Sequence, residues 1–397
     1  MKVLVINVGS SSLKFKIYDM SNEHMLGYGM LEGIGGECKV SYYIQGYESI
    51  SEAMRLENHE LAVRFLLTLL RDKKINHKSI IDLIDAVGHR VAHGGASLRE
   101  PIEINEIVLQ KLESCIELAP LHNSISINVI KKCMEIFNDI PQIAVFDTAF
   151  YDSLPLKSFM YGIPYSYYEK YGIRKYGFHG ISHKYAMQQI SKFIDIYESK
   201  MVVCHLGGGA SITAIDKGKA VDTSMGFTPL EGLMMGTRSG DIDASVINYL
   251  AEKENIECKD VINIFNTKSG FKGISEISGN FIEVFKAASD GNEKAKLAVE
   301  MFVYKIIKYI GSYVAAMNGM NMIVFTGGIG QNSSYIRKQV CDQFTYLGVE
   351  IDVDKNNESK ECSLISSNTS KIQIVVVPTN EELMIARDIN NLFEYKE

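Results

Sequence analysis

The stretch VLVINVGSSSLKF, Val3 to Phe15, decides the fold, because it places a glycine- and serine-rich turn between two apolar, β-like runs. Two further stretches, VVCHLGGGASITAI from Val202 to Ile215 and IVFTGGIGQNSS from Ile323 to Ser334, also put glycines directly after an apolar run. Glycine lets a backbone approach a ligand closely, and consecutive turn amides form a concave site for anions. Three such turns in one chain predict a nucleotide held between two related halves.

Strand-like and helix-like segments alternate along the chain, which predicts α/β architecture. The predicted strands are Val3–Ile6, Leu13–Tyr18, Ile143–Phe146, Val202–Cys204, Ser211–Ile215, Ile323–Phe325 and Ile374–Val377. The predicted helices are Glu60–Leu70, Ile104–Leu118, Ser124–Phe137, Glu293–Met317, Ser333–Phe344 and Glu381–Phe393. The helix from Glu293 has the clearest signal, because its apolar residues recur on one face.

A weakly repeated sequence pattern occurs in both halves of the chain. The turn after Asn7 leads into an apolar run that ends at Asp19, and the turn after His205 leads into one that ends at Asp216. This spacing of about half the chain predicts duplicated domains with a cleft between them. The segment from Tyr151 to Tyr171 is the predicted crossing from one domain to the other.

Composition sets the outer limits on function. A chain of 397 residues is long enough for two domains that each bury a core. The net charge of −7 gives no electrostatic support for binding nucleic acid or an anionic membrane. The seven cysteines include no CxxC pair and are expected to be reduced thiols of a cytosolic protein. The amino terminus resembles neither a signal peptide nor a membrane span.

The polar residues beside these turns are those that phosphoryl transfer to a small acid requires. Such an enzyme needs a phosphate cradle, Mg²⁺, cations on the transferring group and an acceptor held in line. The candidates are Lys14, Arg90, His93, Asp147, His179 and Arg238. Neither the P-loop pattern GxxxxGK[ST] nor a strand–GxGxxG–helix fingerprint is present, which argues against those two nucleotide folds.

Ordinary structural roles compete with each of these functional interpretations. A single glycine-rich hairpin is more often just a turn. A lone arginine such as Arg90 is usually part of a surface ion pair, and His93, His122 and His183 are by default structural. Asp147 also fits a helix cap, and a charge such as Glu381 is favoured at a helix amino terminus.

Taken together, these motifs resemble the acetate kinases, within the superfamily of acetate and sugar kinases, chaperone ATPases and actin. The resemblance covers essentially the whole chain, and its most specific stretches are INVGSSSLKF, VGHRVAHGG, FDTAF, YGFHGISH, DTSMGFTPLEGLMMGTRSGDID, FTGGIGQNS and PTNEEL. The resemblance implies two ribonuclease-H-like domains, a duplicated actin-like ATPase fold, flanking a central cleft. The domains are expected at 1–150, completed by a carboxyl-terminal helix at about 381–397, and at 151–380, which carries the nucleotide site.

The resemblance also implies an activity and its partners. The expected reaction is reversible transfer of the γ-phosphoryl group of ATP to acetate, giving acetyl phosphate and ADP by direct in-line transfer. It uses Mg²⁺, for which Mn²⁺ is a possible substitute, in a cytoplasmic homodimer without nucleic-acid or membrane partners. Two alternatives stay open, a kinase for propionate or another short-chain acid, and a non-catalytic ATP-dependent switch of the actin or chaperone type.

The family's roles transfer to individual positions of this sequence. The implied catalytic residues are Asp147, His179 and Arg238, and the implied acceptor site comprises Arg90, Ala92, Leu121, Phe178 and Pro229. The implied Mg²⁺ ligands are Asn7 and Glu381. The implied nucleotide site comprises Lys14, His205, Leu206, Gly207, Gly208, Gly209, Asn280, Phe281, Ile282, Gly328, Ile329, Gly330, Gln331 and Asn332, with the last five in a turn.

One implied role conflicts with acid–base chemistry, and four positions depart from the family pattern. A small carboxylic acid is already ionised at neutral pH, so Asp147 is expected to organise Mg²⁺ or Arg90 rather than to act as a base. Gly208 replaces an asparagine of the family, and Asn280 and Ile282 replace an aspartate and an arginine. Ala92 stands where acetate kinases commonly have valine.

Overall fold

The computed structural model describes residues 1–137, 139–191 and 193–394, without the side chains of residues 120 and 121. The chain divides into two compact units. The first unit contains Met1–Phe150 together with the segment that begins at Asn380, and the second contains Tyr151–Thr379. Each unit has its own sheet and its own apolar core, so the predicted α/β class is confirmed.

Strands of the first unit begin with the predicted hairpin. They are β1 (Lys2–Gly9), β2 (Ser12–Asp19), β3 (His24–Glu32), β4 (Gly36–Ile44), β5 (Ile50–Leu56), β6 (Lys74–Ile75), β7 (Lys78–Ser79), β8 (Ala86–Val91), β9 (Ile102–Glu103) and β10 (Gln142–Phe146). Eight of them form one sheet in the order β5-β4-β3-β2-β1-β8-β10-β9, in which β1, β8 and β10 run parallel. β6 and β7 pair only with each other.

Three helices of the first unit precede the crossing to the second. They are α1 (His59–Asp72), α2 (Glu106–Ser114) and α3 (Pro120–Ile136). The prediction of one helix over Ile104–Leu118 was wrong, because the Ile104 N–H bonds to the sheet and Asn105 caps α2 at the Val108 N–H. α3 begins four residues before the predicted Ser124, with a proline in its first turn, where the missing N–H costs nothing.

Strands and helices of the second unit come in groups rather than in the simple alternation that the sequence predicts. The helices are α4 (Leu156–Phe159), α5 (Tyr165–Tyr171), α6 (Gly180–Ile190), α7 (Ser245–Glu254), α8 (Cys258–Thr267), α9 (Gly270–Ser275), α10 (Phe281–Ser289), α11 (Glu293–Met317), α12 (Gly327–Asn332), α13 (Ser334–Cys341) and α14 (Val353–Glu358). The strands are β11 (Lys200–Leu206), β12 (Ala210–Asp216), β13 (Lys219–Thr223), β14 (Met322–Thr326), β15 (Ser363–Leu364) and β16 (Gln373–Val376).

The second sheet repeats the topology of the first. Its strand order is β13-β12-β11-β14-β16-β15, and β11, β14 and β16 run parallel. Each sheet contains three consecutive antiparallel strands, β3-β2-β1 or β13-β12-β11, followed by two strands parallel to the last of these and by a short antiparallel edge strand. The first sheet is extended by two more antiparallel strands, β4 and β5. This shared order confirms the predicted duplication.

The long helix α11 has the predicted bounds, and Ala298, Phe302 and Ile306 lie on its buried face. The third glycine-rich stretch differs from the prediction. It forms the short helix α12 rather than a turn, with Gly327 in the left-handed region at φ 77°. A Cβ at Gly327 would lie 2.6 Å from the Leu206 carbonyl oxygen, so glycine is required there. The predicted helix Ser333–Phe344 ends early, since Asp342–Leu347 forms a 3₁₀ segment.

The last helix, α15 (Glu381–Glu394), returns the chain to the first unit and lies close to its predicted bounds. It packs against β1 and β8, where a Cβ on Gly88 would lie 2.4 Å from the Ile389 side chain. This close approach brings the amino terminus of α15 to the ends of the parallel strands. No helix in the described part of the chain has the length and apolarity needed to cross a membrane.

Candidate active site

Four of the predicted site residues gather at the carboxyl ends of the parallel strands of the first unit. Asn7 lies near the end of β1, Arg90 near the end of β8, and Asp147 directly after β10. Glu381 is the first residue of α15. Ligand sites of open α/β sheets commonly lie at this edge, because neighbouring strands deliver their next residues to one place.

The guanidinium of Arg90 joins these residues. Its Nε and Nη2 donate to the two carboxylate oxygens of Asp147 at 3.3 and 2.7 Å, which is a bidentate pair. Its Nη1 lies 3.4 Å from Asn7 Oδ1 and 3.4 Å from Glu381 Oε2. The Asp147 side chain is only 3% exposed, whereas that of Arg90 is 25% exposed. Asp147 therefore fixes one edge of the guanidinium, Asn7 and Glu381 lie beside Nη1, and the side chain stays partly exposed.

The electrostatics of Arg90 follow from this arrangement. Burial acts to lower its pKa, but the negative charges of Asp147 and Glu381 outweigh burial and raise the pKa above its ordinary value. Arg90 is therefore a cation whose charge is balanced within the first unit.

Two lysines of β2 lie in different surroundings. Lys14 pairs in register with Asn7 on β1, and its side chain is exposed. Lys16, which the sequence analysis missed, forms an ion pair with Glu382 at 2.9 Å and donates to Asn380 Oδ1 at 2.9 Å. Burial acts to raise the pKa of Glu382, and Lys16 outweighs it, so this pKa lies below its ordinary value.

The donor set around Arg90 fits a hard divalent cation. Asn7, Glu381 and Asp147 offer amide and carboxylate oxygens, which Mg²⁺ prefers, and Mg²⁺ usually takes only one or two carboxylates and completes its shell with water and phosphate oxygens. In the described residues no group of three or more His, Cys, Asp or Glu side chains forms a closed metal site. The oxygens of Asn7, Glu381 and Asp147 are the ligands that this part of the first unit offers to such a cation.

Two predicted acceptor residues also belong to the first unit. Ala92 follows β8 two residues after Arg90, and it is half-buried. Leu121 lies in α3, but its side chain falls outside the described part of the structure. The other two, Phe178 and Pro229, belong to the second unit, where Phe178 is buried and its carbonyl accepts from the Tyr151 hydroxyl at 2.7 Å.

A second group of predicted residues meets at Gly209 in the second unit. A Cβ at this position would lie 3.2 Å from His179 Nε2 and 3.8 Å from Arg238 Nη1. His179 caps α6 in the left-handed conformation, with φ 58° and ψ 22°, which is uncommon outside glycine. An imidazole and a guanidinium therefore both face the glycine turn between β11 and β12.

Arg238 differs from Arg90 in its partners. Within the described residues its guanidinium donates to neutral acceptors, the Pro229 carbonyl at 3.4 Å and the Met235 sulfur at 3.7 Å, and forms no ion pair. Burial lowers its pKa from the ordinary value without making it neutral, because arginine stays charged at any physiological pH. The second unit thus holds a partly buried cation without a matching anion.

A cavity of about 520 Å³ opens beside the glycine turn of the second unit. Its apolar walls come from Phe281, Ile282, Phe285, Ile329 and Tyr335. The rings of Phe281 and Phe285 stack with their centroids 5.5 Å apart, and the ring centroids of Phe285 and Tyr335 are 5.0 Å apart. No charged side chain is among its lining residues in the described chain, so the cavity suits a flat, neutral ring.

The cavity gathers many of the predicted nucleotide residues. Those that line it are Gly207, Gly208, Asn280, Phe281, Ile282, Gly328, Ile329 and Asn332. The side chain of Leu206 is instead fully buried in the core. Gly330 and Gln331 face Arg337, whose Nη1 donates to their carbonyls at 2.9 and 2.7 Å.

Arg337 is a positioning residue that sequence reasoning missed. It is only 2% exposed, and it also donates to Asn356 Oδ1 at 2.7 Å. Its guanidinium therefore links the end of α12 to α14. Asn280, which lines the cavity, caps α10, because its side chain accepts from the Ile282 N–H.

Comparison with known proteins gives one consistent result. The model of the acetokinase family matches residues 2–387. Acetate kinase of Lachnoclostridium phytofermentans is 45% identical over 99% of this chain and 100% of its own length, and that of Clostridium acetobutylicum is 47% identical over 99% of each. Among solved structures, Porphyromonas gingivalis acetate kinase has a TM-score of 0.90 at 40% identity, covering 99% of both chains. A propionate kinase from Francisella tularensis has 0.92 at 40%, covering 98% of both.

The fold and these matches define the protein as a phosphotransferase, a kinase that uses ATP and ADP as substrates. The chain belongs to the acetokinase family.

Proposed function

We propose that the chain transfers the γ-phosphoryl group of ATP to acetate, reversibly and by direct in-line transfer, giving acetyl phosphate and ADP. The carboxyl acceptor is part of the proposal, and the names of the relatives support it. The observation that carries the proposal is the difference between Arg90, which is ion-paired, and Arg238, which forms no ion pair within the described residues.

The two arginines suit two different anions. Arg90 is balanced by Asp147 and Glu381, so it offers a weak, geometrically fixed grip that suits a small carboxylate. Arg238 has no acidic partner within the described residues, so the positive charge of its guanidinium is not balanced. Such a cation suits an anion that carries more negative charge than a carboxylate does. The equatorial oxygens of a transferring phosphoryl group are such an anion. His179 and Gly209 beside Arg238 add a hydrogen-bond donor and close backbone access.

The metal belongs, in this proposal, with the first unit. Asn7 and Glu381 would hold Mg²⁺ or Mn²⁺, with Asp147 nearby as the residue that orients Arg90. When bound, the ion supplies charge neutralisation to phosphate oxygens. Asp147 does not serve as a general base, since acetate reaches the enzyme already ionised and its oxygen needs no deprotonation.

The nucleotide belongs with the second unit. The aromatic walls of the 520 Å³ cavity, Phe281, Phe285 and Tyr335, would hold the base, and the turn Gly207–Gly209 would face the phosphates. Lys14 of the first unit is exposed and forms no ion pair within the described residues, which suits a phosphate contact. His205 borders this turn, Phe178 directly precedes His179, and the Pro229 carbonyl accepts from Arg238 at 3.4 Å.

An acid series tests the proposal directly. Acyl phosphate is trapped with hydroxylamine while ADP formation is followed in parallel, with acetate, propionate, butyrate and glucose as acceptors. We expect hydroxamate formation in step with ADP for the short acids and none with glucose. ADP formation that is independent of any acid would instead favour the non-catalytic or ATPase-switch class.

Propionate is the second candidate acceptor. Ala92 lacks the two methyl groups of a valine, and the Francisella tularensis neighbour is described as a propionate kinase. The same acid series separates the two acceptors by their relative kcat/KM. A ratio near one would mark a short-chain acyl kinase rather than an acetate-specific one.

Three further assignments complete the proposal. We take the two units as the two actin-like domains of the family, with α15 completing the first. We propose a homodimer, which light scattering of the purified chain would test. We also propose a cytoplasmic location, which the buried free thiols Cys38, Cys133 and Cys204 support.

A further inference from the structure

A chain of hydrogen bonds lies behind His179, on the side of its ring away from Gly209. His179 Nδ1 lies 2.9 Å from Ser211 Oγ, and His183 Nε2 lies 2.8 Å from the same oxygen. Ser211 is in β12, His183 is in the first turns of α6, and both are fully buried. A serine hydroxyl carries one hydrogen and can donate to only one of these ring nitrogens. Among the described residues Ser211 Oγ has no other acceptor in reach, so it donates to one ring and accepts from the other.

The surroundings of His183 decide which nitrogen is which. Burial, together with the nearby His205, holds the pKa of His183 well below its ordinary value, so the ring is neutral and carries one proton. Its Nδ1 is buried and has no hydrogen-bond partner among the described residues. A proton on Nδ1 would leave a buried N–H without an acceptor, which native structures avoid more strictly than an unpaired acceptor.

The proton of His183 therefore belongs on Nε2. That N–H donates to Ser211 Oγ, and the Ser211 hydroxyl then donates to His179 Nδ1. A neutral His179 consequently carries its own proton on Nε2, the nitrogen that faces the glycine turn and lies 3.2 Å from a Cβ position on Gly209.

The ring of His179 is also held on its face. It stacks on His205 with ring centroids 4.4 Å apart and an angle of 29° between the planes. His205 is in turn anchored through Nδ1 to Ser182 Oγ at 2.8 Å. The orientation of the His179 ring and the position of its proton are thus controlled by separate contacts.

We propose that Ser211 and His183 are positioning residues that hold His179 in the tautomer with hydrogen on Nε2. This keeps a donor, rather than a lone pair, facing the transferring phosphoryl group. The inference rests on the proposed function for the role of His179, but the tautomer itself is independent of that function. A lone pair in the same place would repel phosphoryl oxygens, so a wrong tautomer would lower kcat more than substrate binding.

Nitrogen-15 NMR tests the tautomer without reference to activity. Protein labelled at histidine is recorded at pH 8, where an unperturbed imidazole is neutral, and the His179 signals are assigned by their loss in His179→Gln. We expect the wild type to show hydrogen on Nε2. Ser211→Ala is expected to introduce the Nδ1–H form, and Ser182→Ala, which removes a partner of His205 instead, is the matched control and should leave the tautomer unchanged.

Kinetics of the same variants supply the second readout. We expect Ser211→Ala to lower kcat by about tenfold and to change KM values less than threefold. An equal mixture of the two His179 tautomers would lower kcat only slightly, whereas complete loss of the Nε2–H donor would lower it by about 10² to 10³. His183→Gln retains an amide donor for Ser211 and should keep more activity than His183→Phe. This pair preserves the test if Ser211→Ala does not fold.

Two results would overturn the inference. One is a wild-type His179 with hydrogen on Nδ1, and the other is an unchanged tautomer in Ser211→Ala and His183→Phe. Failure of the proposed function looks different, because the wild type would then form no acyl phosphate whatever the tautomer of His179.

Discussion

Replacing Arg238 by methionine separates a catalytic cation from a structural one. The guanidinium makes two long contacts, 3.4 Å to the Pro229 carbonyl and 3.7 Å to the Met235 sulfur, which are weak hydrogen bonds. Its burial lowers its pKa and no carboxylate of the described chain compensates that cost. Methionine keeps most of the apolar volume and removes the buried charge, so the free energy of unfolding should change by less than about 1 kcal/mol or rise.

The same substitution should strongly impair catalysis. Loss of one preorganised donor to a developing charge typically costs about 2.7–4 kcal/mol, which is about 10² to 10³ in kcat. The KM for acetate should change far less, since this cation acts on the transferring group rather than on bound acetate. Hydroxamate formation gives kcat and KM, and urea unfolding gives the stability.

Arg90→Met is the matched control for this experiment. It leaves the Asp147 carboxylate, whose side chain is 3% exposed, without its bidentate partner and also removes the neighbour of Glu381. Breaking such a pair should lower the free energy of unfolding by about 3 kcal/mol, as well as reduce activity. The reasoning fails if Arg238→Met destabilises the protein as much as Arg90→Met does, or if its kcat stays within tenfold of the wild type.

Three further predictions concern the acceptor, the phosphoryl donor and pH. Ala92→Val should shift kcat/KM from propionate towards acetate by a discrimination of about 1–3 kcal/mol, and unchanged ratios would place the methyl pocket elsewhere. The uncharged nucleotide cavity should accept GTP at rates near that of ATP, with a high KM for ATP. Ile282→Arg adds a cation able to stack on a base and should lower the KM for ATP. A strict preference for ATP in the wild type would contradict the predicted relaxed donor range. Burial, opposed in part by the Gln142 hydrogen bond, lowers the pKa of His89 to about 4. The unfolded chain takes up this proton near pH 6.5, so the free energy of unfolding should fall as pH drops from 6.5 to 4, by about 3 kcal/mol for this group. His89→Gln should flatten that slope in urea titrations, and an equal slope would refute the assignment.

Secondary-structure elements with strong local sequence patterns were predicted correctly. The hairpin from Val3 to Phe15 and the helix Glu293–Met317 are found as expected, because alternation and helical periodicity are properties of short segments. The third glycine stretch was misjudged as a turn, since the left-handed Gly327 allows the backbone to continue as a helix. That outcome depends on the carbonyl of Leu206, a residue far away in sequence.

In the candidate site, too, residues in local motifs were predicted, whereas residues that act through distant partners were not. Arg90 and Asp147 were singled out by their motifs, and the structure pairs them across two parallel strands. His183 was predicted to be structural, and Ser211 and Arg337 were not singled out, because each acts through a partner that only the folded chain brings near. The roles of the site residues in binding and catalysis remain predictions, since they concern molecules outside the chain.

The most direct test of the central claim uses acetate labelled with oxygen-18 in its carboxylate. Wild-type enzyme, ATP and Mg²⁺ are incubated with this acetate, and the products are examined by phosphorus-31 NMR. Direct transfer from ATP predicts acetyl phosphate whose phosphorus carries a single oxygen-18, in the bridging position, formed in step with ADP. Release of inorganic phosphate without acetyl phosphate, or acetyl phosphate without the label on phosphorus, would contradict the account.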